Sequence, residues 1–309
     1  MDRAVMKTLA FVLAGGRGAR LFPLTANEAK PALDFACGTR IIDFVLSNLV
    51  NSGIDCIYVL AQYKPETLVE HVRSNWEPVV RRSGGTIRVE LPDPNAAHGA
   101  FLGTADAVYK TQHLWLPHAP DLVAVFAADH VYRMDVRQML EAHVLNKADV
   151  TVATLPLPLE RVSEFGVVKV EADGRIRAFE EKSSHPWSIP GRPSHACASL
   201  GNYLFNPVVL AALLDSAARR GETDFGRHML PRATATHRVF AYDFAGNRVA
   251  GTLPDEEPHY WRDVGTIEAY RAAQRDALGP AQKFSLENEF WPISGSERVD
   301  GVAAAKGQR

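Results

Sequence analysis

From Leu13 to Leu33 the chain reads LAGGRGARLFPLTANEAKPAL, which sets Gly15, Gly16 and Gly18 among Arg17, Arg20 and Lys30. Glycines let the backbone bring its N–H groups close to an anion, and the cations can neutralise phosphate oxygens. Two familiar phosphate loops are excluded. A dinucleotide fingerprint needs G-x-G-x-x-G, and after Gly16 and Gly18 the third position is Leu21. A P-loop needs Gly-Lys followed by Ser or Thr, a string absent from the sequence. What stays open is a third kind of phosphate loop or a turn with solvated cations.

A second chemically capable residue is Asp129, which closes the apolar run DLVAVFAAD. Ligands of open α/β sheets collect beyond the carboxyl ends of the strands, although an Asp there can equally cap a helix. Glu181 and Lys182 end another strand-like run, where a charged pair is otherwise solvated surface.

The elements that must position these groups alternate apolar runs with amphipathic segments, the pattern of a sheet with crossover helices. Leu9–Leu13, CIYVLA, TIRVEL and DLVAVFAAD read as strands. IIDFVLSNLVNSG places Ile42, Val45, Leu46, Leu49 and Val50 on one helical face, and Gly103 to Trp115 is a further helix candidate. FGVVKVEADGRIRAFEE reads as two alternating strands joined at Asp173-Gly174, so a more antiparallel region is expected from about Pro156. PVVLAALLDSAARRG and GTIEAYRAAQRDALG read as helices, and from Pro280 the signal fades into an expected tail over 281–309. The fold class is therefore α/β, a Rossmann-like mixed, mostly parallel sheet flanked by helices.

At 309 residues the chain suits about two domains or one large α/β unit. A net charge of −2 supplies no global field, so neither nucleic acid nor a membrane surface is an expected partner, and any anion must be held locally. Cys37, Cys56 and Cys197 are odd in number and lack C-x-x-C spacing, which argues against a disulfide framework or thiolate zinc. A reducing, cytoplasmic setting is expected. MDRAVMKTLAFVLAGG imitates a signal peptide, but the run Leu9–Ala14 is short and Arg17 and Arg20 follow, so it reads better as a buried first strand. No stretch approaches the roughly 20 apolar residues of a membrane span.

The opening stretch resembles the G-G-x-G-x-R-L…K-P signature of sugar-1-phosphate nucleotidyltransferases. Within them, RIIDFVLSNLVNSGI, AQY, GTADAV, ADHVYRMD, EFGVV, EEK, ASLGNYLF, TDFG and YWRDVGT, in this order from Thr8 to Asp276, resemble the ADP-glucose pyrophosphorylase family. The resemblance implies adenylyl transfer from ATP to glucose 1-phosphate in one catalytic domain over 1–280, with a nucleotide part about 8–155 and an antiparallel sugar-phosphate part about 156–280. It implies that Gly15, Gly16 and Gly18 bring amides to the triphosphate and that Arg20 and Lys30 balance transition-state charge, with Asp129 in the catalytic group. Gln62, Gly103 and Thr104 match adenine positions. Phe101, Gly166, Glu181, Lys182 and Ser199 match sugar-phosphate positions. Were Asp129 and Asp263 brought together, the paired carboxylates would suit Mg²⁺. His130 is read as structural, because no second His or Cys stands at ligand spacing and a hard cation prefers oxygen.

Departures from the family pattern qualify this reading. Phe101 stands where a tyrosine is usual, Ser183 replaces the proline of E-K-P, and Ala26, Asn27, Glu28 and Ala29 replace residues that are often basic in effector-regulated members. No hexapeptide repeat of the family's C-terminal β-helix follows Pro280. Weak or altered allosteric control is expected, with a homo-oligomer or association with a full-length paralogue as possible assemblies. Alternatives are a transferase for another nucleotide or sugar phosphate, and a non-catalytic, regulatory paralogue.

Overall fold

The structure is a computed structural model and describes residues 6–95 and 99–294; the expected tail over 295–309 lies outside the described residues. In chain order the first elements are β1 (Thr8–Leu13), β2 (Asp34–Ala36), β3 (Thr39–Arg40), α1 (Ile41–Asn51), β4 (Cys56–Leu60), α2 (Glu66–His71), α3 (Glu77–Arg82) and β5 (Thr86–Glu90). Then follow α4 (Thr104–Lys110), α5 (Gln112–Trp115), β6 (Leu122–Ala127), β7 (His130–Tyr132), α6 (Val136–Leu145) and β8 (Val150–Pro158). The rest are β9 (Gly166–Val170), β10 (Ile176–Glu181), β11 (Ser188–Ile189), β12 (Arg192–Phe205), α7 (Pro207–Arg219), α8 (Leu230–Thr236), β13 (Val239–Asp243), β14 (Trp261–Asp263) and α9 (Ile267–Leu278).

The chain forms two compact units that interleave in sequence. One gathers residues 1–11, 92–126 and 137–246, the other 12–91, 127–136 and 247–309. In the first unit the fourteen-residue β12 is the organising strand, pairing antiparallel with β6, β8, β9 and β11. β10 turns back on β9, and β13 runs parallel to β8. Part of the expected antiparallel region thus grows out of one long strand that SLGNYLF only half reveals. α7 begins cleanly because the Asn206 side chain accepts the Val208 N–H and Pro207 needs no donor at the first helical position.

In the second unit β4 and β5 run parallel, and α1 is buried along nearly its whole length. A cluster of Leu21, Phe35, Phe44, Val131, Tyr260 and Phe284 forms a core, with the Phe35 and Phe44 rings edge to face at 5.0 Å. Residues 283–294 belong to this core and correct the expectation of a tail from 281. Phe284, Leu286, Trp291 and Ile293 are buried. Asn48 explains how the segment is held: its Nδ2 donates to the Tyr132 carbonyl, while its Oδ1 accepts from Met134 N–H and Trp291 Nε1–H. A buried amide with partners on both sides ties α1, β7 and the segment around Trp291 together.

Candidate active site

In the second unit the glycine loop follows Val12 and Leu13, the last residues of β1, and runs through three short 3₁₀ turns, Ala19–Leu21, Leu24–Ala26 and Lys30–Ala32. Gly18 is the constrained position. Its φ is +59°, and a Cβ there would lie 3.0 Å from Lys30 Cβ and 3.1 Å from Thr25 Cγ2. The Gly18 carbonyl accepts both the Leu21 N–H and the Thr25 hydroxyl, so the loop folds back and leads Lys30 inward. At Gly16 a Cβ would meet nothing within 4 Å, and at Gly15 only the Gln62 side chain, Cγ at 3.6 Å and Nε2 at 3.8 Å. Open space therefore lies beside Gly15 and Gly16, two of the three glycines expected to approach the triphosphate, with Gln62 at its border, while Gly18 is closely packed.

β7 and β14 place the acids. They pair antiparallel with Asp263 opposite His130, so Asp263 comes beside Asp129, the residue preceding β7. Lys30 Nζ reaches both carboxylates, 3.0 Å from Asp129 Oδ2 and 3.2 Å from Asp263 Oδ1. Burial alone would lower the Lys30 ammonium, but the Asp129 and then the Asp263 carboxylates outweigh it and raise it. Desolvation would raise the Asp129 carboxyl, yet Lys30 foremost, aided by His130, holds it well below the usual carboxylate range. Arg20 belongs to the same group: a Cβ at Gly265 would stand 3.0 Å from Arg20 Nη2 and 2.9 Å from Asp263 Oδ2.

The donor set admits a divalent cation. Ligand atoms of Asp129, His130 and Asp263 all lie within 4.8 Å of one another. Two carboxylates this close suit a hard ion that completes its shell with phosphate oxygens and water. His130 packs its ring on Trp261, with centroids 4.7 Å apart, and its Nε2 stands 3.5 Å from Asp129 Oδ1.

In the first unit three strands assemble a second group. The β10–β9 register sets Glu181 opposite Gly166, and β12 pairs Ala198 with Val167, so one step further Ser199 reaches the level of Gly166. Gly166 is required by space, since a Cβ would lie 2.5 Å from Phe179 Cζ and 3.0 Å from Glu181 Oε2. Burial and then the Asp224 carboxylate raise the Glu181 carboxyl, while Lys182 and Arg227 pull it back. Lys182 has a left-handed backbone, φ 54°, a conformation that costs a non-glycine residue about 1 kcal/mol or more. Its N–H donates to the Phe165 carbonyl, which holds that turn. Phe179, Glu180, Glu181, Lys182, Arg227 and Pro231 line a cavity of about 460 Å³.

The comparisons with known proteins agree with this geometry. A family model described as nucleotidyl transferase matches residues 9–279. The chain is 47% identical over 288 residues to the glucose-1-phosphate adenylyltransferase of Thermodesulfovibrio yellowstonii, covering 93% of this chain and 70% of that protein. It is 44% identical over 300 residues to the enzyme of the same name from Thermus thermophilus, covering 93% and 71%. This chain belongs to the glucose-1-phosphate adenylyltransferase family.

For this member of the glucose-1-phosphate adenylyltransferase family, Gly103 and Thr104 lie in the first unit, docked on the segment Thr223–Phe225. A Cβ at Gly103 would meet the Thr223 carbonyl at 2.5 Å. The Thr104 hydroxyl donates to Asp224 Oδ2 and accepts the Phe225 N–H, both at 3.0 Å, so it is spent on holding this turn. Phe101 is buried in the loop before α4. Asp224, Gly226 and Arg227 stand beside Glu181, and the sequence reading does not name them. Their signal was the string TDFG after α7, in which an Asp caps the following helical turn by accepting the Arg227 N–H.

Proposed function

We propose that this chain is a Mg²⁺-dependent glucose-1-phosphate adenylyltransferase that transfers AMP from ATP to α-D-glucose 1-phosphate, giving ADP-glucose and pyrophosphate for α-glucan synthesis. The observation that carries the reading is Lys30 set between Asp129 and Asp263 at the end of a glycine loop. A phosphate oxygen of glucose 1-phosphate attacks the α-phosphorus of ATP, the bond to the β-bridging oxygen breaks, and pyrophosphate departs. No covalent enzyme intermediate is needed, so alignment and charge neutralisation supply the catalysis.

Gly15 and Gly16 leave backbone amides approachable for the triphosphate, Arg20 and Lys30 oppose its negative charge, and Gln62 offers paired donor and acceptor atoms to a purine edge. Asp129 and Asp263 would hold Mg²⁺, which when bound neutralises phosphate oxygens. Glu181 accepts hydrogen bonds from sugar hydroxyls, Lys182 pairs with the sugar phosphate, and Gly166 and Ser199 shape the same floor. Free thiols at Cys37, Cys56 and Cys197 fit a reducing, cytoplasmic setting. No helix among the described residues is long and apolar enough to cross a membrane.

The deciding experiment measures pyrophosphate release from a panel of nucleoside triphosphates and sugar phosphates with Mg²⁺. ATP with glucose 1-phosphate should be the best pair. Folded protein that turns over another pair faster, or none at all, overturns the proposal.

A further inference from the structure

A phosphomonoester carries close to two negative charges at neutral pH, because its second ionisation lies at about 6. Lys182 supplies one positive charge, which leaves the second unmatched. The cavity holding Lys182 is lined by one further cation, Arg227. The backbone of Arg227 is fixed in a π-helical turn, Phe225–Met229, where its N–H donates to the capping Asp224 at 2.9 Å. Single π turns recur at functional sites, and this one aims a long, exposed side chain from an anchored start.

Among the described residues neither Arg227 nor Lys182 forms an ion pair. Two other exposed arginines of the same unit are matched, Arg177 with Glu171 at 2.7 Å and Arg220 with Glu222 at 2.9 Å, whereas Arg227 is the arginine that lines the cavity. Two of the nearby acids, Asp224 and Glu181, have contacts of their own, while Glu180 also lines the cavity. Asp224 accepts from Thr104 and from the Arg227 backbone, and Glu181 is packed so closely that a Cβ at Gly226 would lie 2.5 Å from its Oε2. The cavity therefore offers a half-buried acid for hydroxyls together with two cations that act on Glu181 without an ion pair to it, and the exposed Glu180 also lines it.

We propose that Arg227 is the second phosphate-binding cation of the sugar-phosphate pocket and selects the doubly charged form of a hexose 1-phosphate. The role rests on the glucose 1-phosphate reading of that pocket. A planar guanidinium can grip two phosphate oxygens at once, which a lysine cannot.

The test is calorimetric titration of glucose 1-phosphate into the full chain without ATP, for wild type, Arg227→Lys and Arg227→Ala, with thermal midpoints as fold controls. Arg227→Ala should weaken binding by about tenfold or more, as expected for a lost charge-assisted pair, with Arg227→Lys in between. KM for glucose 1-phosphate should rise in parallel while kcat and the KM for ATP stay within about twofold. Lowering the pH from 7.5 to 5.5 should weaken wild-type binding more than binding by Arg227→Ala, since only the former distinguishes the dianion. Wild-type binding that Arg227→Ala leaves unchanged overturns the role of Arg227 alone. Wild type that takes up no glucose 1-phosphate overturns the reading of the pocket itself.

Discussion

Lys30 Nζ lies 3.0 Å from Asp129 Oδ2, and the lysine side chain is 7% exposed against 40% for the aspartate. A sequestered cation thus neutralises a carboxylate that remains open to a ligand. Replacing Lys30 by Met removes the cation without removing its bulk and leaves Asp129 and Asp263 to repel one another and the triphosphate. Turnover should fall by about 10²–10³-fold, the scale of losing one preorganised electrostatic contact. Steady-state pyrophosphate release checks this, and a variant within threefold of wild type would remove Lys30 from the catalytic group.

The carboxylate pair makes a separate prediction about metal. Asp129→Asn and Asp263→Asn each delete one hard oxygen charge from a set whose ligand atoms lie within 4.8 Å. Each should weaken Mn²⁺ binding, followed by paramagnetic resonance as a Mg²⁺ surrogate, by at least about tenfold. Chelation should stop turnover, and added Mg²⁺ should restore it. Equal Mn²⁺ affinity in wild type and both variants would place the metal elsewhere.

The glycine loop and Asp129 stand out in the sequence as local signals, a turn and the end of an apolar run, whereas Glu181 and Lys182 alone read as solvated surface and entered, like Asp263, through resemblance. The partner of Asp129 was not legible from residues alone. β7 and β14 are three residues each, HVY and WRD, too short to show a period, and only their pairing brings Asp263 to Asp129. Asp263 entered through resemblance. The segment 283–294 was missed for a related reason: Phe284, Leu286, Trp291 and Ile293 follow neither strand nor helix spacing, and burial by a distant core orders them. The split into two interleaved units escaped as well, because connectivity across a sheet leaves no mark at the crossover points.

Gly226 tests the sugar pocket from its crowded side. A Cβ at this position would stand 2.5 Å from Glu181 Oε2 and 3.6 Å from Asp224 Oδ1. Gly226→Ala should push the Glu181 carboxylate aside and raise the KM for glucose 1-phosphate several-fold, with the KM for ATP unchanged. Equal KM values for the sugar phosphate in variant and wild type would mean that Glu181 does not hold the sugar.

His143 gives the first unit an acid-sensitive contact. Burial lowers its imidazole to about 4, with the Asp149 carboxylate opposing only in part, and the ring shares a hydrogen bond of 2.8 Å with Thr151 Oγ1. The unfolded chain takes up this proton below about 6.5, whereas the folded chain resists until about 4. The contribution is therefore fully present above pH 6.5 and is lost progressively as the pH falls towards 4, at most by about 3 kcal/mol. Urea midpoints at pH 7 and 4.5 for wild type and His143→Asn check the sign. The variant should lose less stability between the two conditions, and equal losses would sink the argument.

Glu28 bears on regulation, since it stands where the family's effector-controlled members are often basic. Its carboxylate lies 3.2 Å from the Arg40 guanidinium, which also donates to the Ala32 carbonyl and stands 3.5 Å from Asp34 Oδ1. Burial raises the Glu28 carboxyl and Arg40 pulls it back, so the carboxylate is partly desolvated beside its partner. An anionic effector approaching Arg40 would have to displace a carboxylate already in place and accept the repulsion of Asp34. Fructose bisphosphate or AMP should therefore change the rate of the wild type by less than about twofold. Glu28→Gln removes the competing charge while keeping the shape, and should let either anion act at lower concentration. An effector that activates the wild type strongly, with Glu28→Gln responding no better, would show that Arg40 and Glu28 do not set the response.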